Sequence, residues 1–196
     1  MTLTLRTFRG ADTAEVIEDL ARLRIEVFRD WPYLYDGDLD YERRYLADYT
    51  TGKALVVAAF EGETMVGAST GMPLMEHADD LSTAFTGTSF DPDTLFYCAE
   101  SVLLGKARGQ GIYHQFFAAR EAHAQAAGFT YATFCGVTRP DTHPARPNGN
   151  KPLDPVWKHF GYTPVQGAIG HLSWRDIGDT RETTKPLQFW IKKLCA

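Results

Sequence analysis

The chain has 196 residues, of which 44% are hydrophobic, 13% aromatic and 23% charged. This composition suits a single folded domain over residues 1–196, and it excludes a disordered chain because enough apolar surface is present for a core. The formal net charge of -5 is unevenly divided, with -11 over residues 1–100 and +6 over residues 101–196. We therefore expect an acidic part that faces a cation and a basic part that faces an anion.

Single features exclude further classes of protein. The longest apolar run, Ala54 to Phe60, is too short to span a membrane, and Met1 to Gly10 has no secretory h-region. The three cysteines form no disulfide or zinc pattern, and the histidines lack the spacing of metal ligands. No basic run is dense enough for nucleic acid. We therefore expect a cytoplasmic protein without a metal, a membrane or a nucleic-acid partner, and a homodimer stays open.

Hydrophobic periodicity and turn residues predict the elements in chain order. The predicted strands are Leu3 to Phe8, Ala54 to Phe60, Thr64 to Met72, Leu95 to Leu104, Thr130 to Val137, Val165 to Trp174 and Pro186 to Leu194. The predicted helices are Asp12 to Trp31, with a capping box at Asp12 and Glu15, then Leu39 to Tyr49, Ile112 to Ala127, and a short one capped by Asp154. Residues 75–90 allow a helix and a loop, and residues 139–155, with five prolines, are predicted as loop. The order predicts an α/β fold of the α+β type, because hairpins interrupt the strict alternation of a doubly wound sheet.

A glycine-bearing turn between a strand and a helix carries the strongest functional signal. It spans Gly105 to Gly111, and Gly109 and Gly111 allow backbone N–H groups to approach an anion. The helix that follows has unpartnered N–H groups and a positive dipole end, and Arg108 adds a fixed charge. The turn is therefore predicted to hold a pyrophosphate. The P-loop pattern is absent, and His114 stands where a dinucleotide fingerprint needs a third glycine.

The segment Arg108-Gly109-Gln110-Gly111-Ile112-Tyr113 resembles the acyl-CoA loop of the GNAT superfamily of N-acetyltransferases, R/Q-x-x-G-x-G/A. Tyr113 departs from that pattern, which has a small residue there. The element order is similar over nearly the whole chain, and Phe160-Gly161-Tyr162 resembles a late turn of the family. The resemblance implies a mixed, splayed central sheet flanked by helices. It also implies acetyl-CoA as co-substrate, held by residues 108–113 and by backbone groups of Val102, Leu103 and Leu104.

Glu100 is the candidate general base for acetyl transfer to an amine. With period two it shares a strand face with Phe96, Cys98 and Val102, and a carboxylate among apolar neighbours holds a proton more readily. Family members often carry a glutamate on this strand as base, so the resemblance agrees. The alternative is a glutamate that is paired with an arginine or faces water.

The resemblance also implies a general acid, a tyrosine four residues before the glycine of the late turn. Trp157 occupies that position, and an indole does not protonate a departing thiolate. Tyr113 and His143 stay open as donors, as does protonation by solvent. We expect Trp157 to pack against the cofactor arm or the core.

The loop beside Trp31 is the candidate acceptor site. It carries Tyr33, Tyr35, Asp36 and Asp38, and aromatic walls with carboxylates suit a cationic amine. The acceptor is therefore expected to be a small-molecule or peptide amine, although a solvated turn explains the same residues. In the proline-rich loop, Arg139, His143 and Arg146 are candidates for contact with a CoA phosphate or with an acidic part of the acceptor, and surface decoration is their alternative.

Two rival functions remain. Residues 67–71 match G-x-S-x-G, the nucleophile elbow of serine hydrolases, with Ser69 as nucleophile. The strand pattern continues through Gly71 and no helix follows it, which argues against an elbow. A catalytically silent acyl-CoA-binding module is the other rival, and the missing tyrosine at position 157 favours it.

Overall fold

The computed structural model describes residues 3–77, 79 and 81–195. The strands in these residues are β1 Leu3–Arg9, β2 Leu55–Glu61, β3 Thr64–Pro73, β4 Leu95–Tyr97, β5 Ser101–Leu103, β6 Tyr131–Val137, β7 Thr163–Trp174 and β8 Thr183–Lys193. The α-helices are α1 Ile17–Phe28, α2 Leu39–Ala47, α3 Ile112–Ala126 and α4 Asp154–His159. Among the described residues, no helix is both long enough and apolar enough to cross a membrane.

The strands form one sheet in the order β1-β2-β3-β4-β6-β8-β7, and β5 pairs with β3 beside that path. Neighbouring strands run antiparallel, except that β4 and β6 are parallel. A parallel pair needs a crossover connection, and α3 lies in it. The predicted mixed central sheet with flanking helices is confirmed.

Alternate residues of β2 show how the helices are divided between the two faces of the sheet. Leu55, Val57 and Ala59 pack in the core with α3 and α4, whereas Val56 and Ala58 pack in the core with α1 and α2. This strict alternation is the period-two pattern of a strand that is buried on both faces. The sheet is therefore the middle layer of the fold.

The predicted strand Leu95 to Leu104 is wrong as a continuous element, because it contains a β-bulge. Tyr97 lies opposite Met72 of β3, but Ser101 lies opposite Ser69, so four steps on one strand match three on the other. The extra residue bends the strand and moves the following side chains to the opposite face. Cys98 still bonds to β6 through its backbone N–H, which donates to the carbonyl of Thr133, whereas β5 pairs only with β3. A gap therefore opens between β5 and the end of β6.

Other predicted boundaries also change. The predicted capping box at Asp12 and Glu15 lies in a 3-10 helix, Gly10–Glu15, and α1 begins after Val16 without a side-chain cap. Asp154 is the first residue of α4 rather than its cap, because Leu153 takes the cap position. Over residues 75–90, apart from 78 and 80, which lie outside the described residues, the chain forms short 3-10 helices instead of an α-helix.

Candidate active site

The gap between β5 and β6 is the mouth of a cleft of about 960 Å³. One wall comes from Ser101 and Leu103 of β5, and the opposite wall comes from Gly136 and Val137 of β6. A smaller inner pocket of about 130 Å³ lies at the point where the strands diverge, and Glu100 lines it. The cleft and the inner pocket have lining residues in common, so the cleft leads into the inner pocket. The shared residues are Phe28, Pro32, Tyr33, Ser101, Tyr113, Gly136, Val137, Leu153 and Trp157.

The glycine turn forms one end of this cleft. Gly109 and Gly111 have φ angles of 78° and 76°, the left-handed region that favours glycine, and a Cβ at either position would meet no atom within 4 Å. Gly111 is also the cap residue of α3 and offers no side chain to its first N–H groups. These N–H groups are therefore available to an anion that lies in the open space before the helix.

Of the predicted cofactor-binding residues 108–113, all except Gln110 line the cleft. Gln110 does not line it, because its side-chain amide donates to the carbonyl of Lys106. Arg108 keeps its place beside the cleft, and its Nε donates to the carbonyl of Leu103 at 3.3 Å. The predicted residues that line the cleft are Leu103, Arg108, Gly109, Gly111, Ile112 and Tyr113.

The hydrogen-bond register of β5 corrects which backbone groups reach the cleft. Leu104 donates to the carbonyl of Val66, and the carbonyl of Glu100 accepts from Thr70, so the even-numbered residues bond to β3. By the same alternation Val102 faces β3 as well, and it is fully buried. Ser101 and Leu103 therefore present their backbone groups to the gap. Sequence reasoning missed Ser101 because the bulge shifts the alternation by one residue.

Glu100 lies in a buried ion-pair cluster rather than among apolar side chains alone. Arg24 of α1 approaches it at 2.6 Å, from Nη1 to Oε1, and also approaches Glu42 of α2 at 2.5 Å, from Nε to Oε2. Glu100 is 6% exposed and Glu42 is fully buried. The predicted face is wrong, since Cys98 packs in the α3 core while Val102 packs in the α1 core. The arginine-paired alternative describes Glu100, although the residue still lines the inner pocket.

Two free thiols line the inner pocket, but neither is suited to covalent catalysis. Burial raises the pKa of Cys98 above its ordinary value, and it raises the pKa of Cys135 to about 12. The nucleophile of a cysteine is its thiolate, which is scarce at neutral pH when the pKa is that high. Neither thiol is therefore suited to act as a nucleophile at neutral pH.

Trp157 and Tyr113 form a pair across the cleft. The indole Nε1 of Trp157 donates to the hydroxyl of Tyr113 at 3.3 Å, and both side chains line the inner pocket. Gly136 allows this arrangement, because a Cβ there would lie 2.7 Å from the Trp157 ring. His143 instead packs against Trp31, with ring centroids 5.2 Å apart, and does not line the cleft. Of the two donors that the sequence leaves open, the geometry favours Tyr113.

The loop after α1 contributes only part of the acceptor site that the sequence predicts. Tyr33 lines both the cleft and the inner pocket. Asp36 is paired with Arg175 at 2.8 Å, and the carboxylate of Asp38 accepts from the backbone N–H of Tyr41 as the cap of α2. Neither aspartate lines the cleft, and neither does Tyr35. An aspartate directly before a predicted helix is typical of an N-cap, and this pattern would have predicted the role of Asp38.

Asp30 is an acidic residue of the cleft wall that sequence reasoning missed. It precedes Trp31, and both residues line the cleft, together with Lys151 and Asp154 from the far side. The acidic contribution of this region therefore comes from Asp30 and not from Asp36 or Asp38.

Arg139 fixes the loop after α1 against the second half of the sheet. Its guanidinium donates to the carbonyls of Pro32 and Tyr33 at 3.0 and 2.9 Å, and it forms a two-point contact with Asp176 at 2.7 and 2.9 Å. Lys185 also approaches Asp176 at 3.0 Å. The loop at Pro32 and Tyr33 is therefore a fixed wall of the cleft. Arg146 pairs with Asp141 and does not line the cleft.

We expect the contact at Asp176 to stabilise the fold in a pH-dependent way. Burial acts to raise the pKa of Asp176, but hydrogen bonds from Arg139 and Lys185 outweigh it and hold that pKa below its ordinary value. A carboxylate with a depressed folded-state pKa stabilises the fold above its unfolded pKa, and this contribution is lost as pH falls through the folded pKa. Asp176→Asn is expected to lower the free energy of unfolding at pH 7 by about 2–3 kcal/mol, and the difference from the parent should shrink below about pH 4.

Chemical denaturation of both proteins at pH 7 and pH 3 measures this difference. Asp179→Asn is the matched control, because that exposed carboxylate forms no described ion pair. A pH-independent difference for Asp176→Asn would contradict the assignment.

Ser69 does not lie on a nucleophile elbow. It is fully buried within β3 and is paired with β2 on one side and β5 on the other. Its hydroxyl lies 3.4 Å from that of Ser101, and the strand continues to Pro73 without the strand-to-helix turn that the elbow requires. Within the described part of the chain, no group of three or more His, Cys, Asp or Glu side chains is placed to hold a metal ion.

The open sheet with a glycine turn before α3 is the fold of the GNAT N-acetyltransferases, as comparison with solved structures shows. The chain is similar to a ribosomal-protein-alanine N-acetyltransferase from Brucella melitensis, with 15% identity, a TM-score of 0.62, and coverage of 97% of this chain and 99% of that chain. It is also similar to a GCN5-related N-acetyltransferase from Kribbella flavida, with 14% identity, a TM-score of 0.57 and 98% coverage of both chains. The yncA protein from Salmonella typhimurium, solved with its cofactor acetyl-CoA, has 13% identity and a TM-score of 0.57, with 100% of this chain and 95% of that chain covered. No protein-family model and no curated protein sequence matches the chain.

Proposed function

We propose that the protein transfers an acetyl group from acetyl-CoA to a primary amine. The observation that carries this proposal is the continuous cleft between β5 and β6, which joins the glycine turn at one end to the inner pocket lined by Glu100 at the other. An anion-binding helix end and a carboxylate at opposite ends of one cleft suit a negatively charged thioester and a positively charged amine.

The cofactor half of the cleft would hold CoA by its phosphates and its amides. The uncapped N–H groups at the start of α3 and the Arg108 guanidinium would bind the pyrophosphate. The backbone groups of Ser101 and Leu103, which have no partner on β3, would bind the amides of the pantetheine arm. The thioester would then lie beside the inner pocket.

The chemistry is direct attack of the amine on the thioester. The neutral amine nitrogen forms a bond to the carbonyl carbon, the bond from that carbon to sulfur breaks, and the nitrogen releases one proton to solvent. The products of this step are an amide, a proton and a CoA thiolate. Glu100 would accept the proton that the ammonium must lose, directly or through one water. The Tyr113 hydroxyl, which accepts an N–H from Trp157 and keeps its own proton free, would protonate the thiolate.

The acceptor amine would enter past the aromatic wall of the cleft. Phe28, Trp31 and Tyr33 lie there, and aromatic faces attract a cation with about 0.5–2 kcal/mol each. Asp30, which lines the cleft, would supply the negative charge. This arrangement takes over the role that the sequence assigns to Asp36 and Asp38.

Turnover of acetyl-CoA with a panel of amines tests the proposed function. The panel should contain diamines, aminoglycosides, amino-acid amides and peptides with free N-termini, and thiol release should be followed with a chromogenic disulfide. Transfer to at least one primary amine supports the proposal. Binding of CoA without transfer to any of them would favour the silent acyl-CoA-binding module instead.

Gly111→Asp is expected to abolish the thermal stabilisation that CoA gives. The change places a negative side chain in the anion site and forces a non-glycine residue to a φ of 76°. Gly128→Asp is the matched control, because Gly128 lies just beyond the other end of α3 with a φ of 89° and with equally open space. Gly128→Asp therefore introduces the same kind of backbone strain as Gly111→Asp, but it lies outside the proposed anion site. A CoA-induced shift of parental size in Gly111→Asp would place the cofactor elsewhere.

Tyr113→Phe is expected to lower kcat roughly 100-fold, the lower end of the range for general acid catalysis, because a thiolate is a good leaving group. The KM for acetyl-CoA should change little. Tyr131→Phe is the control, since Tyr131 lies on β6 away from the cleft. Steady-state kinetics from pH 6 to pH 9 measures the effect. If Tyr113→Phe kept the parental kcat across that pH range, Tyr113 would not be the general acid and solvent would protonate the thiolate.

A further inference from the structure

The inner pocket is larger than an acetyl group requires. Its volume of about 130 Å³ is close to the ~150 Å³ of an engineered cavity that binds benzene, a molecule of six heavy atoms. An acetyl group brings only three heavy atoms, so most of the pocket would stay unfilled. Because an unfilled apolar space forfeits dispersion contacts along its lining, the size of the pocket favours a longer acyl chain.

One wall of this pocket contains a buried cation without a counter-ion. Arg120 of α3 is 2% exposed and lines the inner pocket. Its Nη1 donates to the carbonyl of Glu100 at 3.1 Å and, at 3.5 Å, to that of Thr70, while its Nε is buried and has no hydrogen-bond partner. Among the described residues, no carboxylate forms an ion pair with it.

The carboxylates of Glu121, its neighbour on α3, and of Glu100, whose carbonyl accepts from Arg120, are already engaged. Glu121, the next residue on α3, pairs with Lys192 at 2.6 Å and accepts from the Tyr162 hydroxyl. The Glu100 carboxylate pairs with Arg24, on the opposite face of the sheet. A buried charge that lacks a partner is costly, and a ligand that supplies the missing anion removes that cost. Because Arg120 has no ion-pair partner among the described residues, its guanidinium is suited to bind an anionic group of a ligand.

The rest of the lining is mainly apolar. The rings of Phe117, Phe134 and Trp157 and the side chain of Val137 surround the space between the cleft and Arg120. A ligand that fits must therefore combine a short methylene chain with a terminal negative charge.

We propose that the inner pocket binds an acyl group that ends in a carboxylate, a dicarboxylic chain of three or four carbons, with its terminal carboxylate paired to Arg120. This inference rests on the proposed function, because the chain would reach the pocket as a thioester of CoA. The protein would then transfer a malonyl or succinyl group to its amine acceptor. The amine attacks the thioester carbon in the same way, and the terminal carboxylate takes no part in the bond changes.

Calorimetric titration of the protein with succinyl-CoA, butyryl-CoA and CoA tests the proposal. Succinyl-CoA and butyryl-CoA have the same number of acyl carbons, and only the first ends in a carboxylate. We expect succinyl-CoA to bind roughly 10- to 100-fold more tightly than butyryl-CoA, the value of a charge-assisted pair in a buried site. Equal or weaker binding of succinyl-CoA would overturn the proposal.

Substitution of Arg120 provides a second test. Arg120→Met is expected to bring the ratio of the two affinities close to one, and Arg120→Lys should give an intermediate ratio. Lys53→Met is the matched control, since Lys53 is an exposed cation that does not line the cleft and donates to the carbonyl of Ala127, and it should keep the parental ratio. If Arg120→Met does not fold, the comparison of ligands on the parent protein still decides.

The outcomes separate this inference from the function on which it rests. If neither CoA nor either thioester binds, the proposed acyl transfer is wrong. If CoA and butyryl-CoA bind and succinyl-CoA has no advantage, the CoA site stands and the carboxylate pocket is wrong.

Discussion

Replacing Glu100 with glutamine is expected to lower acyl-transfer turnover by about 10²–10⁴, the usual contribution of a general base. Glutamine keeps the size of the side chain and cannot accept the amine proton. The KM for acyl-CoA should change little, because Glu100 lies at the far end of the cleft from the glycine turn. The loss should shrink as pH rises, because more of the acceptor amine is already neutral.

Glu42→Gln is the control that separates catalysis from structure. It removes the other carboxylate that contacts Arg24, at 2.5 Å, but Glu42 does not line the cleft or the inner pocket. We therefore expect Glu42→Gln to reduce stability and to keep most of the turnover per folded molecule. Equal losses of kcat in the two variants would mean that Glu100 acts only through its ion pair with Arg24.

Arg24→Met is expected to reduce the free energy of unfolding by about 3–5 kcal/mol, a large part of the total for a domain of this size. The substitution fills a similar volume and leaves two buried carboxylates, Glu42 and Glu100, without their cation. It also removes the stacking of the guanidinium over Tyr45, whose ring centroid lies 4.5 Å away. Urea denaturation at pH 7 measures the change.

Arg22→Met is the matched control for this prediction. Arg22 lies on the same helix two residues earlier, its side chain is 63% exposed, and it pairs with Glu18 one turn away. An exposed pair of this kind contributes about 0.3–0.5 kcal/mol. If Arg24→Met were no more harmful than Arg22→Met, the cluster would not hold α1 and α2 to the sheet.

Local signals made the glycine turn and the start of α3 predictable from the sequence. A strand, two glycines, an arginine and an amphipathic helix occur within about twenty residues, and each signal acts on its own neighbours. The β2–β3 hairpin was predictable for the same reason. The structure places the turn, Gly111 and α3 as the sequence indicates.

The bulge between Tyr97 and Ser101 could not be predicted from the same kind of signal. One extra residue in an apolar strand leaves the hydrophobic pattern almost unchanged, and it becomes visible only when β3 supplies the register. The error about the face of Glu100 follows from that single residue.

The partner of Glu100 was hidden by distance along the chain. Arg24 and Glu100 are far apart in sequence, yet Arg24 stands on the apolar face of its helix, in line with Leu20 and Val27. A charged residue on such an apolar face needs a buried partner of opposite charge. The sequence pattern therefore predicts that Arg24 forms an ion pair, but it does not predict which carboxylate is the partner.

The edge of β5 that faces away from β3 pairs with no strand among the described residues, although it lies within the fold and lines the cleft. Such an edge carries unpaired amide and carbonyl groups, and in general it recruits another extended chain. Here the edge lines a cleft that Tyr113, Trp157 and Gly136 also line. A linear molecule with its own amide groups would therefore find along β5 the hydrogen-bond partners that a neighbouring strand supplies in a continuous sheet.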